Sequence, residues 1–145
     1  MGNDVLFLAS DHAGYECKEF LQQQLKEKGI ATKDLGCYTG ESVDYPDYAH
    51  KLAREIESGR QNLGILLCGS ANGVAITANK HKGVRAAICW NTEIAQLAKQ
   101  HNNANVCCIP ARYISHEDAL NIVQTFLSTT FEGGRHEKRV NKIDL

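Results

Sequence analysis

Apolar residues along this chain come in short continuous runs, separated by stretches in which apolar positions return every three or four residues. The runs are Val5–Ala9, Ile30–Leu35, Leu63–Leu67, Val84–Cys89 and Asn105–Ile109. A parallel strand covered on both faces needs continuous apolar character, so the first, third and fourth runs are expected at the centre of a sheet. The stretches between them read as amphipathic helices. Cys17, Phe20, Leu21 and Leu25 share one face of a first helix that stops near Gly29. For the second, Asp44 is placed to cap, Pro46 suits the first turn, Ala49, Leu52, Ala53 and Ile56 make the inner stripe, and Gly59 follows the end. A shorter third helix is expected from near Gly73. The fourth, capped by Asn91 or Thr92, turns Ile94, Leu97, Ala98 and His101 inward. Ser115 and Asp118 resemble a capping box ahead of a fifth helix whose core face is Ala119, Ile122, Val123, Phe126 and Leu127. Phe131-Glu132-Gly133-Gly134 then breaks the pattern before a short basic tail, Arg135 to Leu145.

Five strand–helix units in this order predict an α/β, Rossmann-like, doubly wound parallel sheet in a three-layer sandwich, with right-handed crossovers. The 145 residues fit one domain with one core. Residues 130–145 form a C-terminal helical arm, expected to pack on this domain or on a partner subunit. With 16 Lys+Arg against 17 Asp+Glu, no overall field recruits nucleic acid or an anionic membrane, so any anion site is local. Met1-Gly2-Asn3-Asp4 leads into the first run without the basic flank or length of a signal peptide, and no run is long enough to span a bilayer. The six cysteines contain no Cys-x-x-Cys pair and mostly sit in apolar runs, so a reducing cytoplasm is expected.

Ligands of open α/β sheets bind beyond the carboxyl ends of the strands. Polar clusters expected there are Ser10-Asp11-His12, Cys68-Gly69-Ser70-Ala71-Asn72-Gly73, His101-Asn102 and Arg112. The glycine turn after the third strand can aim backbone N–H groups at an anion near a helix N-terminus, although such turns also serve close packing alone. It is neither a Gly-x-Gly-x-x-Gly nor a Walker loop, which weighs against a nucleotide. Cys68 stands at the mouth of the turn, where aligned amides favour a thiolate able to act as base or nucleophile. Cys17, Cys89, Cys107 and Cys108 read as buried small hydrophobes. His101 beside Asn102 is a candidate acid for opening a sugar ring, its plainer alternative being a histidine at a helix C-terminus. Asp11 and His12 can move protons between sugar oxygens, or serve only a helix start. Arg135 and Arg139, four apart, could clamp a phosphate with Arg112, against the alternative of a solvated charged tail. The six histidines show no tight His/Asp/Glu ligand spacing, so no metal site is expected.

Taken together, Ser10-Asp11-His12-Ala13-Gly14, Asp44-Tyr45-Pro46, Cys68 to Gly73, Ala78-Asn79-Lys80, His101 to Asn105 and Glu132-Gly133-Gly134-Arg135-His136 with Arg139-Val140 resemble the ribose-5-phosphate isomerase B family, which also includes the galactose-6-phosphate isomerase subunits. The resemblance runs over nearly the whole chain. It implies a dimer with active sites shared between two chains, possible further pairing into tetramers, no cofactor, and interconversion of ribose 5-phosphate and ribulose 5-phosphate. By matching positions it makes Cys68 the base moving the proton between C1 and C2, and His101 the ring-opening acid. The amides of Gly69, Ala71, Asn72 and Gly73, with Ser70, stabilise the enediolate. Asp11, Tyr45 and Asn102 hold hydroxyl groups, and His12, Arg112, Arg135 and Arg139 bind phosphate. Relatives without this cysteine use a glutamate just after the turn, where this chain has Val74. Alternatives left open are a six-carbon phosphate isomerase acting on allose or galactose 6-phosphate, and a non-enzymatic phosphosugar-binding module.

Overall fold

The computed structural model describes residues 5–59 and 61–145. The elements are β1 (Leu6–Ser10), α1 (Tyr15–Glu27), β2 (Thr32–Asp34), α2 (Tyr45–Glu57), β3 (Leu63–Cys68), α3 (Asn72–Ala78), β4 (Ala86–Ile88), α4 (Thr92–Asn102), β5 (Val106–Pro110), α5 (His116–Ser128) and α6 (Arg135–Val140). The five strands form one sheet in the order β2-β1-β3-β5-β4, every neighbouring pair parallel. The expected α/β architecture is therefore present.

One expectation about the sheet fails. The fourth apolar run lies at an edge, and β5 takes the inner place beside β3. All three β4 residues are only half-buried. Asn79 blunts this edge: its side-chain Nδ2 donates to the Ala86 carbonyl at 2.9 Å, and its Oδ1 accepts from the Ala86 N–H at 2.8 Å. Both backbone groups of that residue are satisfied without another strand.

Strand side chains alternate between faces and so build two cores. Leu6, Leu8, Ile65, Leu67, Cys107 and Ile109 pack with α1, α4 and α5. Phe7, Ala9, Leu66, Cys68, Val106 and Cys108 pack with α2 and α3. This parity aims Cys68 toward the helix that follows the glycine turn.

The helices follow the predicted stripes with instructive exceptions. Asn91 is the α4 cap, its Oδ1 accepting from the Ile94 N–H at 2.8 Å. Ser115 caps α5 by accepting from the Asp118 N–H at 3.0 Å. Asp44 occupies the cap position of α2, but its side chain caps nothing. On α4 the buried residues are Ala95, Ala98 and Lys99, while Ile94, Leu97 and His101 are only half-buried. On α1 the surprise is Lys18, which is fully buried, whereas Phe20 is partly exposed. Lys18 Nζ reaches both oxygens of Asp34 at 2.8 and 2.7 Å, tying α1 to the end of β2. The stripe rule places a lysine outside; a carboxylate one helix–strand unit later brings it in.

Candidate active site

The chain leaves β1 outward to β2 and returns to β3 on the other side of β1, so the carboxyl ends of β1 and β3 flank the crevice where the winding reverses. Ser10, fully buried, ends β1. The Asp11 N–H donates to the Leu67 carbonyl at 3.2 Å, locking the loop onto β3. Gly14 permits that approach, since a Cβ there would stand 2.6 Å from Leu67 Cβ. Asp11, buried, accepts from the Gly14 N–H through Oδ1 at 3.1 Å. Its second oxygen is unclaimed among the described residues.

His12 receives a hydrogen bond that its own neighbourhood in sequence does not announce. The Val43 N–H donates to Nδ1 at 3.1 Å from the loop that leads into α2. An accepting Nδ1 puts the proton of the neutral ring on Nε2, so His12 presents a donor. Nitrogen NMR of protein labelled at histidine is expected to show Nε2 protonated and Nδ1 bare for His12. The opposite tautomer would break this assignment.

The turn after β3 carries backbone strain at one residue. Ala71 has φ +69°, a left-handed conformation rare for a residue with a side chain. Around it the N–H groups of Ser70, Ala71, Gly73 and Val74 have no acceptor among the described residues, and that of Asn72 reaches only Ser70 Oγ at 3.4 Å. Two predicted side chains lie against this nest. A Cβ at Gly69 would stand 3.2 Å from the Arg112 side chain, and a Cβ at Gly73 would overlap the Tyr45 ring. Arg112 is also held through its backbone, whose N–H donates to the Gly69 carbonyl at 3.1 Å. Cys68 sits beneath, 5 % exposed, in one cluster with Ala71 and Val74. The other thiols are walled into the core. Burial pushes Cys17 up to about 11 and Cys108 well above its ordinary value, and Cys107 is raised first by its hydrogen bond with Cys89 and then by burial. Unionised, these thiols are packing groups.

Asp11, His12, Tyr45, Cys68, Gly69, Ser70, Ala71, Asn72, Gly73 and Arg112 thus gather at the carboxyl edge. The remaining predicted residues do not join them. α4 runs back across the sheet, so His101 and Asn102 lie at its amino edge, where the Gly64 N–H meets the Asn105 carbonyl at 2.9 Å. Cys68 pairs with Pro110 at the far end of the same strand pair, roughly 15 Å away at the usual rise per residue. Placing His101-Asn102 among the carboxyl-edge clusters was the error: a segment that precedes a strand sits at that strand's start.

Arg135 and Arg139 accompany His101. Asn103 ends α4 in the left-handed conformation, φ 48°. The tail returns to this end through the Glu132 N–H, which donates to the Gln100 carbonyl at 3.1 Å. His136 stacks on His101, ring centroids 4.2 Å apart and planes within 10°. Desolvation first, then His101 and Arg135, hold the His136 imidazolium below its usual range. Glu132 Oε1 lies 3.3 Å from His136 Nε2 and 3.9 Å from His101 Nε2. Arg135 and Arg139 are exposed on α6.

Sequence reasoning missed Val43, Glu132, His136 and the strain at Ala71. Only the four-residue spacing of Glu132 and His136 was available as a signal, and it pairs them without His101. The spacing argument against a metal site therefore did not register this cluster, whose third member joins only in space.

A parallel α/β sheet with a strained glycine turn and the Arg112 guanidinium at its carboxyl edge is an arrangement α/β proteins use for small anions. The profile of the family described as Ribose/Galactose Isomerase matches residues 6–143. A ribose-5-phosphate isomerase B of Escherichia coli K12 is 40% identical over 133 residues, covering 92% of this chain and 89% of the relative. A probable ribose-5-phosphate isomerase B of Mycoplasma pneumoniae is 43% identical over 142 residues, covering 97% and 93%. The crystal structure of a ribose 5-phosphate isomerase from Thermotoga maritima superposes with a TM-score of 0.95 at 51% identity, covering 98% of each chain. That of ribose-5-phosphate isomerase B from Mycoplasma genitalium with bound ribulose-5-phosphate gives 0.94 at 42% identity, covering 97% and 94%. The chain belongs to the ribose/galactose isomerase family.

Proposed function

We propose that this chain interconverts D-ribose 5-phosphate and D-ribulose 5-phosphate through an enediolate, at a site completed by a second copy of itself. One observation carries the chemistry: a thiol, Cys68, lies directly under a turn in which the Ser70, Ala71, Gly73 and Val74 amides have no acceptor among the described residues. Hydrogen on a carbon next to a carbonyl is weakly acidic, so a base succeeds only if the oxyanion is stabilised as it forms. Preorganised amides supply this, each donor contributing on the order of 3 kcal/mol. The Cys68 thiolate takes the proton from C2 of the open-chain aldose and returns it to C1, while Asp11 and Ser70 serve the oxygens. No electron leaves the substrate. Val74 stands where the resemblance places the alternative glutamate and cannot take a proton, which supports Cys68 as the base. The named five-carbon isomerases among the relatives favour this substrate over six-carbon phosphates.

His101 opens the furanose ring, Asn102 and Tyr45 hold hydroxyl groups, and His12, Arg112, Arg135 and Arg139 bind the phosphate. Within one chain these residues stand at opposite edges of the sheet, so a two-fold partner must bring its amino edge to the carboxyl edge of the first. The incompletely covered β4 and the exposed Ile76 beside it are an apolar surface suited to that contact. The C-terminal arm, 130–145, carries the arginines toward the partner. Among the described residues no helix is long and apolar enough to cross a membrane, and all six cysteines are free, which suits a cytoplasmic metabolic enzyme.

Incubation of pure protein with ribose 5-phosphate is expected to yield ribulose 5-phosphate; binding without turnover would overturn the enzymatic reading. The shared site has its own test. Cys68→Ala and His101→Asn variants, each nearly inactive, are expected to recover about a quarter of wild-type activity when unfolded and refolded together. Half the dimers are then mixed, and each mixed dimer holds one intact site. No recovery, with mixed dimers shown to form, would place both residues in one chain's site.

A further inference from the structure

The amino-edge cluster has a capacity that proton transfer does not use. One ring nitrogen each of His101 and His136 and one carboxylate oxygen of Glu132 lie within 4.8 Å of one another. We propose that His101, Glu132 and His136 bind one Zn²⁺ ion per chain when substrate is absent, and that the ion shuts the enzyme off by occupying His101.

Two imidazoles and a carboxylate are a ligand set zinc favours, leaving its fourth position open. Bonds of about 2.0–2.1 Å at a tetrahedral ion put ligand atoms roughly 3.3–3.4 Å apart. The Glu132–His136 pair already stands at 3.3 Å, and the Glu132–His101 pair, at 3.9 Å, must close by about half an ångström. The histidine rings are stacked, so their lone pairs run side by side and one ring must turn to converge on a common ion. His101 is free to do so: its side chain is 38% exposed, against 9% for His136. His136 is the fixed ligand, Glu132 the adjustable carboxylate and His101 the gate. Arg135 is one residue from His136 and Arg139 a turn further on α6, so the ion would sit next to side chains proposed to hold phosphate, and ion and substrate compete for His101.

The binding claim stands apart from the isomerase reading, since metal uptake is measured without substrate. Titration of metal-free protein with Zn²⁺, followed by a competing chromophoric chelator, is expected to show one ion per chain. Glu132→Gln and His136→Gln should each weaken binding at least about tenfold, whereas Cys68→Ala should leave it unchanged. Glu132 is exposed, so its variant folds even if the His136 variant does not. Co²⁺ in place of zinc is expected to give visible bands of a four-coordinate nitrogen–oxygen site without the strong near-ultraviolet absorption of cobalt–thiolate bonds. Wild-type affinity in both cluster variants, loss of binding in Cys68→Ala, or a thiolate band each overturns the site. If binding holds, Zn²⁺ is expected to inhibit isomerisation and EDTA to restore it; full turnover with zinc bound would overturn the inhibitory role.

Discussion

Replacing Cys68 with alanine is expected to lower kcat for ribose 5-phosphate by roughly 10³-fold, the usual range for loss of a positioned proton-transfer group. The Michaelis constant should change little, because the groups proposed to hold phosphate, His12, Arg112, Arg135 and Arg139, remain in place. Folding should survive as well. Cys68 shares an apolar cluster with Phe7, Ala9, Val74 and Cys108, and trimming one atom there costs about 1 kcal/mol. Circular dichroism and steady-state kinetics on the same preparation separate the two effects. Cys68→Ser is the sharper companion, since it keeps nearly the volume while exchanging the thiol for a hydroxyl that scarcely ionises. A folded alanine variant with wild-type turnover would remove Cys68 as the base.

The second large effect concerns the buried ion pair. Asp34→Ala is expected to destabilise the fold by about 3 kcal/mol, because it leaves the Lys18 ammonium, whose side chain has no solvent exposure, with only the half-exposed Glu19 carboxylate at 3.4 Å. Part of the loss belongs to the Gly36 N–H, which donates to Asp34 Oδ1 at 2.9 Å and would lose its acceptor at a cost of about 1 kcal/mol or more. Adding Lys18→Met to the same chain should return most of the stability, since the methionine needs no counter-charge. Urea denaturation of both single variants and the double variant measures this directly. A loss below about 1 kcal/mol in Asp34→Ala would show that Lys18 finds water or another partner.

What could be read without coordinates followed physical range. Hydrophobic runs and stripes report which side of an element is covered, and they located every strand, most helix faces and the caps at Asn91 and Ser115. They say nothing about sideways order, so β4 was placed at the centre although it lies at an edge. Under the proposed shared site, its apolar character fits coverage by the partner copy. Lys18 misled for a related reason: its partner, Asp34, belongs to the next strand, and no local period records it. In the site, the carboxyl-edge residues were legible because glycine turns and strand ends are local features. The Val43 bond to His12 and the meeting of His101, Glu132 and His136 join segments far apart in sequence. Chain direction alone puts His101 and Asn102 at the amino edge, since they precede β5.

That direction reaches beyond geometry. With the thiol proposed as base at one rim of the sheet and the histidine proposed to open the ring at the other, a newly made chain would carry both groups without a way to bring them to one sugar. Under the shared-site reading catalysis begins at encounter between copies, so specific activity should collapse on dilution below the dissociation constant, well before any helix or strand is lost.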